Sequence, residues 1–245
     1  MSKGVCRLLS EEIVVGLSKW EELPEYMRTE AVKPYYDVLS RKKVSLLAKR
    51  SFDVVMATML LILLIPVLFV IAILIKMDSR GKIFFCQERV TQYGRRFKII
   101  KFRTMISDAE KKGTQVTVEN DSRVTKIGKT LRKYRLDELP QLINIIFGDM
   151  SFVGTRPEVV KYVMKYKPEM MATLLLPAGV TSEASIEYRD EDKLLQNAVD
   201  ADLVYVEEIL PEKMKYNLHS LMKFSIGSEI YTMFKTIVTV FKRDK

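Results

Sequence analysis

Val54-Val-Met-Ala-Thr-Met-Leu-Leu-Ile-Leu-Leu-Ile-Pro-Val-Leu-Phe-Val-Ile-Ala-Ile-Leu-Ile75 is the stretch on which the fold turns. Of its 22 positions only Thr58 is polar, and at about 1.5 Å per residue a helix of that length reaches across a hydrocarbon core of roughly 30 Å. Pro66 divides the run into arms of 12 and 9 residues, each too short to span alone. A kinked spanning helix is one reading, because neighbouring groups can repair the hydrogen bond a proline removes. A hairpin that enters and leaves by the same face is the other. Arg41, Lys42, Lys43, Lys49 and Arg50 precede the run, and Lys76, Arg80, Lys82 and Arg89 follow it. Basic residues near an apolar segment stay on the cytoplasmic side, so both ends carry the same label. Membrane attachment follows from either reading.

Outward from this run the composition is that of a globular chain. In 245 residues, 48% hydrophobic content is ample for one sizeable domain with appendages. The net charge of +9 admits nucleic acid, anionic lipid or phosphorylated small molecules as partners. Nucleic acid fits poorly, because the basic residues border lipid-facing sequence and form no patch interleaved with aromatics. Cys6 and Cys86 have no CxxC neighbour, which suits a reduced, cytoplasmic setting. His219 is the sole histidine and has no motif around it, so it reads as structural. Residues 1–48 mix charge with scattered apolar positions broken by Pro24 and Pro34, a pattern of short surface-lying helices or, equally, of a loosely ordered N-terminal extension, and not of a signal peptide.

Chemistry concentrates further on, in Arg132-Lys-Tyr-Arg-Leu-Asp-Glu-Leu-Pro-Gln141. Pro140 fits a helix only in its first turn, so the helix through Leu142, Ile143 and Ile146 is expected to start near Leu136 or Asp137. That would put Asp137 at or near an N-cap, where exposed amides favour an ionised carboxylate and also attract phosphate. An ordinary aspartate cap explains the same residues. Lys98 to Arg103 alternates charge with Ile99, Ile100 and Phe102, equally a half-buried strand and a phosphate cradle. A few short strands are expected between Ile83 and Met105, a turn at Gly148-Asp149, and a core-facing or interfacial helix through Ile226, Ile230, Met233, Phe234, Ile237, Val238 and Phe241.

Taken in order, several motifs carry a resemblance. They are Lys49-Arg-Ser-Phe-Asp53, the apolar run broken at proline, Ile75-Lys76, Gln87-Glu-Arg89, Gly94, Phe97, Lys101-Phe-Arg-Thr-Met105, Arg123-Val-Thr-Lys-Ile-Gly128, Leu136-Asp-Glu-Leu-Pro-Gln141, and Gly148-Asp-Met-Ser-Phe-Val-Gly154 with Arg156-Pro157. From Lys49 to Glu158 the chain resembles the bacterial sugar transferase family, the small monotopic polyprenyl-phosphate phosphoglycosyl transferases. The resemblance implies a re-entrant helix-break-helix in the inner leaflet with the active site at the membrane surface. It implies that Asp137 is the nucleophile, that Glu138 helps hold a required Mg2+, and that Arg156 serves the phosphate and nucleotide-sugar site. The chain departs from the family pattern where Ile65 replaces a common Ser before the membrane proline, Thr91 a Gly, and Thr155 the first Pro of Pro-Arg-Pro. It departs again over Pro177 to Arg189, where sugar selection could reside.

A nucleotide diphosphate sugar needs a cation, fixed positive side chains and an in-line nucleophile, because charge develops on phosphoryl oxygens as its anhydride breaks. Asp137 and Glu138 can supply the carboxylates Mg2+ prefers, and Lys101, Arg103, Arg123 and Arg156 are the candidate phosphate partners. The expected fold is α+β and mainly helical: an extension over 1–48, a re-entrant membrane hairpin over 49–77 and a small cytoplasmic catalytic domain over 78–245 with interfacial helices. The expected reaction moves a phosphosugar from a UDP-sugar to polyprenyl phosphate at the bacterial inner (cytoplasmic) membrane, through an aspartyl intermediate with UMP released. It would initiate assembly of a capsule, exopolysaccharide, O-antigen or glycoprotein glycan; membrane lipid is a further partner and a homodimer is allowed. A membrane-tethered Mg2+-dependent phosphohydrolase and a non-enzymatic membrane scaffold are the competing classes.

Overall fold

The computed structural model describes residues 16–106, 121–195 and 200–242; Cys6 and the rest of residues 1–15 lie outside them. The described chain is mainly helical, with two small two-stranded sheets. Its longest element is α2, Lys43–Asp78, a helix of 36 residues with Pro66 inside it; α1, Lys33–Ser40, precedes it. Among the described residues α2 is the one helix long and apolar enough to cross a membrane, and only 11% of its most apolar window is buried. Val55, Met59, Ile62, Leu63, Phe69 and Val70 are exposed, while Leu46, Ala57, Ile71 and Ile75 make a narrow seam against the rest of the protein. So much exposed aliphatic surface is costly in water and natural in lipid.

Charged groups anchor both ends of α2. Arg50 donates to the carbonyls of Ile145 at 2.7 Å and Ile146 at 3.2 Å. Asp53, almost fully buried, accepts from the Ser151 hydroxyl at 2.7 Å and faces Lys49, which also pairs with Glu229 and donates to the Val153 carbonyl. At the far end Asp78 accepts from the amide of Ile127 at 3.2 Å.

The expected strands are present as an antiparallel hairpin, β1 Phe84–Val90 and β2 Arg96–Phe102, with Phe97, Ile99 and Phe102 buried. Helix α3, Lys126–Lys133, starts on Thr125, whose hydroxyl accepts from Gly128 at 3.0 Å. Short α4, Gln141–Ile146, lies on β2, where Asn144 accepts from the Ile100 amide at 3.0 Å and donates to the Lys98 carbonyl at 2.9 Å, closing the open edge of that strand. After the turn at Gly148-Asp149, with Gly148 at φ 82°, β3 Met150–Val153 pairs in parallel with β4 Ala178–Thr181. Their ends meet so closely that a Cβ on Gly179 would stand 2.2 Å from Gly154 backbone, so only glycine fits. Thr91 ties this junction together, donating to the Asp149 carbonyl at 2.6 Å and accepting from the Ala178 amide at 3.1 Å.

The C-terminal helices are α5 Val160–Val163, α6 Glu183–Glu187, α7 Glu191–Leu194, α8 Ala201–Val204, α9 Leu210–Met222 and α10 Ile226–Phe241, with a π-turn at Tyr205–Ile209 between α8 and α9. Helix α10 begins on a Ser225–Ser228 capping box and leaves Ile230, Tyr231, Phe234 and Ile237 exposed. The N-terminal residues do more than lie on a surface. Leu23, Met27, Val32, Tyr36 and Leu39 share one core cluster with Ala172, Leu175, Leu218, Leu221 and Phe224.

Candidate active site

Asp137 and Glu138 sit in a 3-10 turn, Leu136–Glu138, at the side of a cleft of about 1560 Å3. The expected N-cap is not there. Arg135 is the capping residue, held at φ 55° in the left-handed region, and no side chain caps the turn. A non-glycine residue in that conformation costs about 1–2 kcal/mol, and such strain gathers at functional sites. The α-helix proper begins at Gln141 with Pro140 as its cap, four residues beyond Asp137. The turn is tighter than an α-helical start because it must bring Asp137 and Glu138 inward, where both are buried.

The two carboxylates live in different fields. Burial alone would raise Glu138, but Arg156, Lys101 and Arg135 outweigh it and hold its carboxyl well below the usual carboxylate range. Its Oε1 accepts from Lys101 Nζ at 2.9 Å and Arg156 Nη2 at 2.5 Å, with Arg135 Nη1 at 3.8 Å. Asp137 goes the other way: burial and then the charge of Glu138 raise it, against the pull of Lys101, Arg132 and Arg135. Among the described residues nothing donates a hydrogen bond to its Oδ1. A buried carboxylate oxygen without a partner is costly, and is poised to bind or to react.

The structure therefore brings Asp137, Glu138, Lys101 and Arg156 together. Arg103 and Arg123 line the same cleft on other duties. The Arg103 guanidinium closes the end of α2 through the Ser79 carbonyl at 2.7 Å, the Arg80 carbonyl at 2.8 Å and the Ser79 hydroxyl at 2.9 Å. Arg123 forks onto Asp121 at 2.6–3.0 Å. Despite Thr155, Arg156 is fixed by Glu138 and by the Thr155 carbonyl, which accepts from Gly179 at 2.8 Å. Sequence alone does not single out one wall of the cleft, lined by Arg89, Glu158, Tyr205 and Lys213: Arg89 lies in the Gln87-Glu-Arg89 motif and Glu158 just after Arg156-Pro157, but Tyr205 and Lys213 stand outside any motif. Helix α2 reaches it too, through Leu60 and Leu64.

A family model described as bacterial sugar transferase matches residues 44–243. The chain belongs to the bacterial sugar transferase family. Members similar to it include a UDP-N-acetylgalactosamine-undecaprenyl-phosphate N-acetylgalactosaminephosphotransferase of Aeromonas hydrophila, 34% identical over 195 residues that cover 78% of this chain and 43% of that protein. A UDP-glucose:undecaprenyl-phosphate glucose-1-phosphate transferase of Escherichia coli (strain K12) is 40% identical over 192 residues, 75% of this chain and 41% of that one. The exopolysaccharide production protein ExoY of Rhizobium meliloti (strain 1021) is 34% identical over 213 residues, 79% of this chain and 85% of the relative. The chain thus spans less than half the length of the first two sugar transferases and most of the third.

Proposed function

We propose that this bacterial sugar transferase moves a phosphosugar from a UDP-sugar to polyprenyl phosphate at the cytoplasmic face of the inner membrane, releasing UMP and starting the assembly of an extracellular glycan. The observation that carries the reading is the unpartnered, buried Oδ1 of Asp137 beside a Glu138 whose charge Lys101 and Arg156 already balance. In the first step Asp137 attacks the sugar-bearing phosphorus. A carboxylate O–P bond forms, the anhydride P–O bond breaks, and the electron pair leaves on UMP. In the second, a phosphate oxygen of the polyprenyl acceptor attacks the same phosphorus, and the O–P bond to Asp137 breaks to regenerate the carboxylate.

Each neighbour has a task in this scheme. Lys101 and Arg156 can swing part of their charge from Glu138 to the donor phosphates, stabilising negative charge as it develops. Burial keeps water from the acyl phosphate, and Lys101, Arg132 and Arg135 pull the raised Asp137 back towards its ionised form. Mg2+ fits the pair: two hard carboxylates, one with a free oxygen, match its preference. When bound, it would be held by Asp137 and Glu138 and would supply positive charge to offset the negative charge of the donor phosphates. Among the described residues no group of three or more His, Cys, Asp or Glu side chains gathers, so the pair Asp137 and Glu138 is the candidate holder.

The same reading takes α2 as a re-entrant hairpin. Leu142 and Ile145 pack with Ala57, Leu60 and Leu64, while Leu136 and Leu139 pack in the cluster of Leu68, Ile71 and Ile75. Both arms of α2, on either side of Pro66, thus pack in clusters that include this one stretch from Leu136 to Ile145. A bend at Pro66 that turns both arms to one domain accounts for this. It also sets the site between a soluble donor and a lipid-borne acceptor. The relatives' names, which join UDP-sugars to undecaprenyl phosphate, support the same pair of substrates.

The test is UMP release by protein in lipid nanodiscs. With UDP-sugar alone it should stop near one UMP per protein, and with polyprenyl phosphate it should turn over. Steady release without acceptor would mean a hydrolase, and no release from any UDP-sugar a scaffold.

A further inference from the structure

We propose that the buried polar wall of Glu158, Tyr205, Lys213 and Glu191 is the sugar subsite of the cleft, built to take a neutral, polyhydroxylated hexose of the donor. The proposal rests on the phosphosugar-transfer reading above and adds which residues meet the sugar, and what sugar chemistry they accept.

The wall is continuous in hydrogen bonds. The Tyr205 hydroxyl donates to Glu158 Oε1 at 2.5 Å, Lys213 Nζ donates to the Tyr205 hydroxyl at 3.2 Å and to Glu191 Oε2 at 2.8 Å. Arg89 Nη1 donates to the Pro157 carbonyl at 3.1 Å and stands 3.9 Å from Glu158 Oε2. Glu158, Tyr205 and Lys213 are only 6%, 3% and 5% exposed, yet all of them line the cleft. Residues of similar size without charge would stabilise a plain core as well or better. The cluster immediately behind, through Tyr166, Leu210 and Met214, is made in that way. The π-turn beginning at Tyr205 is a second irregularity at the same place, and such turns are frequent at functional sites.

Position then identifies the ligand. Arg156 reaches Glu138 and lies two residues from Glu158, and Arg156, Glu158 and Glu191 line the same cleft. The wall therefore adjoins the phosphate pole. In a nucleotide diphosphate sugar the pyranose is one oxygen away from the phosphorus that Asp137 attacks, so its hydroxyls fall on whichever wall adjoins Arg156. Two cations, Arg89 and Lys213, face two anions, Glu158 and Glu191. The wall is balanced in charge and rich in both donors and acceptors, which matches hydroxyls and amides. A sugar carboxylate would meet the two glutamates, and a free amine would meet Arg89 and Lys213.

The experiment measures UMP release from UDP-glucose, UDP-galactose, their N-acetylamino counterparts and UDP-glucuronate, and UMP affinity by calorimetry, for the full chain and for Glu191→Gln, Lys213→Met and Tyr205→Phe in nanodiscs. The wild type should use at least one neutral donor in preference to UDP-glucuronate. Glu191→Gln leaves the wall net positive and should move the glucuronate-to-neutral ratio of kcat/KM upward about tenfold, with UMP affinity unchanged. Tyr205→Phe should lower kcat/KM for the neutral donor about tenfold, again without touching UMP. Should Lys213→Met fail to fold, Glu191→Gln, at the open edge of the wall, decides alone. Unchanged donor ratios in an active protein, or an equal loss for every donor together with UMP, would overturn the subsite while leaving the phosphosugar-transfer reading intact. Absence of UMP release from every donor by the wild type would overturn both.

Discussion

Replacing Arg156 by Met separates the residues that act on phosphate from those that hold the fold. Arg156 supplies the shortest of the contacts to Glu138 Oε1, 2.5 Å against 2.9 Å for Lys101 and 3.8 Å for Arg135. A charge-assisted hydrogen bond contributes roughly 1.5–3 kcal/mol, so losing one that is shared with the donor phosphates in the transition state should lower kcat/KM by about 10- to 150-fold. Lys101→Met should cost a similar factor. Arg156→Lys should fall between, since an ammonium keeps the charge but not the fork. Arg103→Met is the contrast. Its guanidinium serves the carbonyls of Ser79 and Arg80, so the expected loss is in melting temperature, by several degrees, rather than in kcat/KM of the protein that remains folded. The assay is UMP release at subsaturating UDP-sugar, paired with a thermal melt of each variant. Normal kcat/KM in Arg156→Met, with a large loss at unchanged melting temperature in Arg103→Met, would refute the assignment.

Three further outcomes follow from named contacts. Asp53→Ala removes a buried carboxylate that holds Ser151 and faces Lys49, and should destabilise by about 2–4 kcal/mol in chemical or thermal unfolding, whereas Asp37→Ala, whose partner Lys33 is exposed, should stay within about 0.5 kcal/mol. Burial raises the Glu229 carboxyl above its ordinary 4.5 with only partial relief from Lys49. The native state then binds that proton more tightly than the unfolded chain, so stability falls as pH rises from 4.5 through the folded value, and Glu229→Gln should flatten that part of the stability profile. For topology, Lys43→Cys and Lys82→Cys, both exposed and on opposite sides of Pro66, should react with a membrane-impermeant thiol reagent from the same face of sealed vesicles. Labelling from opposite faces would identify a spanning helix.

Much of this was legible before any coordinates. The apolar run, its proline and its basic flanks mark α2 because hydrophobic length is a one-dimensional property. Strand β2 shows as charge interleaved with apolar residues from Lys98 to Arg103, and the order of motifs points to Asp137, Glu138, Lys101 and Arg156. Other features depend on pairings that no local pattern records. Met27, Val32 and Leu39 enter the core from 3-10 turns and a short helix broken by Pro24 and Pro34, so no helical period announces them. Strands β3 and β4 are four residues each and meet in parallel across an intervening segment. Arg103 and Arg123 carry the same charge as Arg156 in sequence; only geometry reveals that Ser79, Arg80 and Asp121 occupy them. Pro140 marks Asp137 as a cap in sequence, but the left-handed Arg135 starts the turn early and draws the carboxylate inward. Glu158, Tyr205, Lys213 and Glu191 come from three separate helical segments and a loop, and their meeting is a tertiary fact.

The central claim is that Asp137 carries the phosphosugar. The most direct measurement is mass spectrometry of protein incubated with UDP-sugar in the absence of acceptor, quenched and mapped by peptide. A sugar-phosphate adduct on Asp137, lost on adding polyprenyl phosphate and missing from Asp137→Asn, is the predicted result. An adduct on any other residue, or an Asp137→Asn protein that still turns over at the wild-type rate, would contradict it.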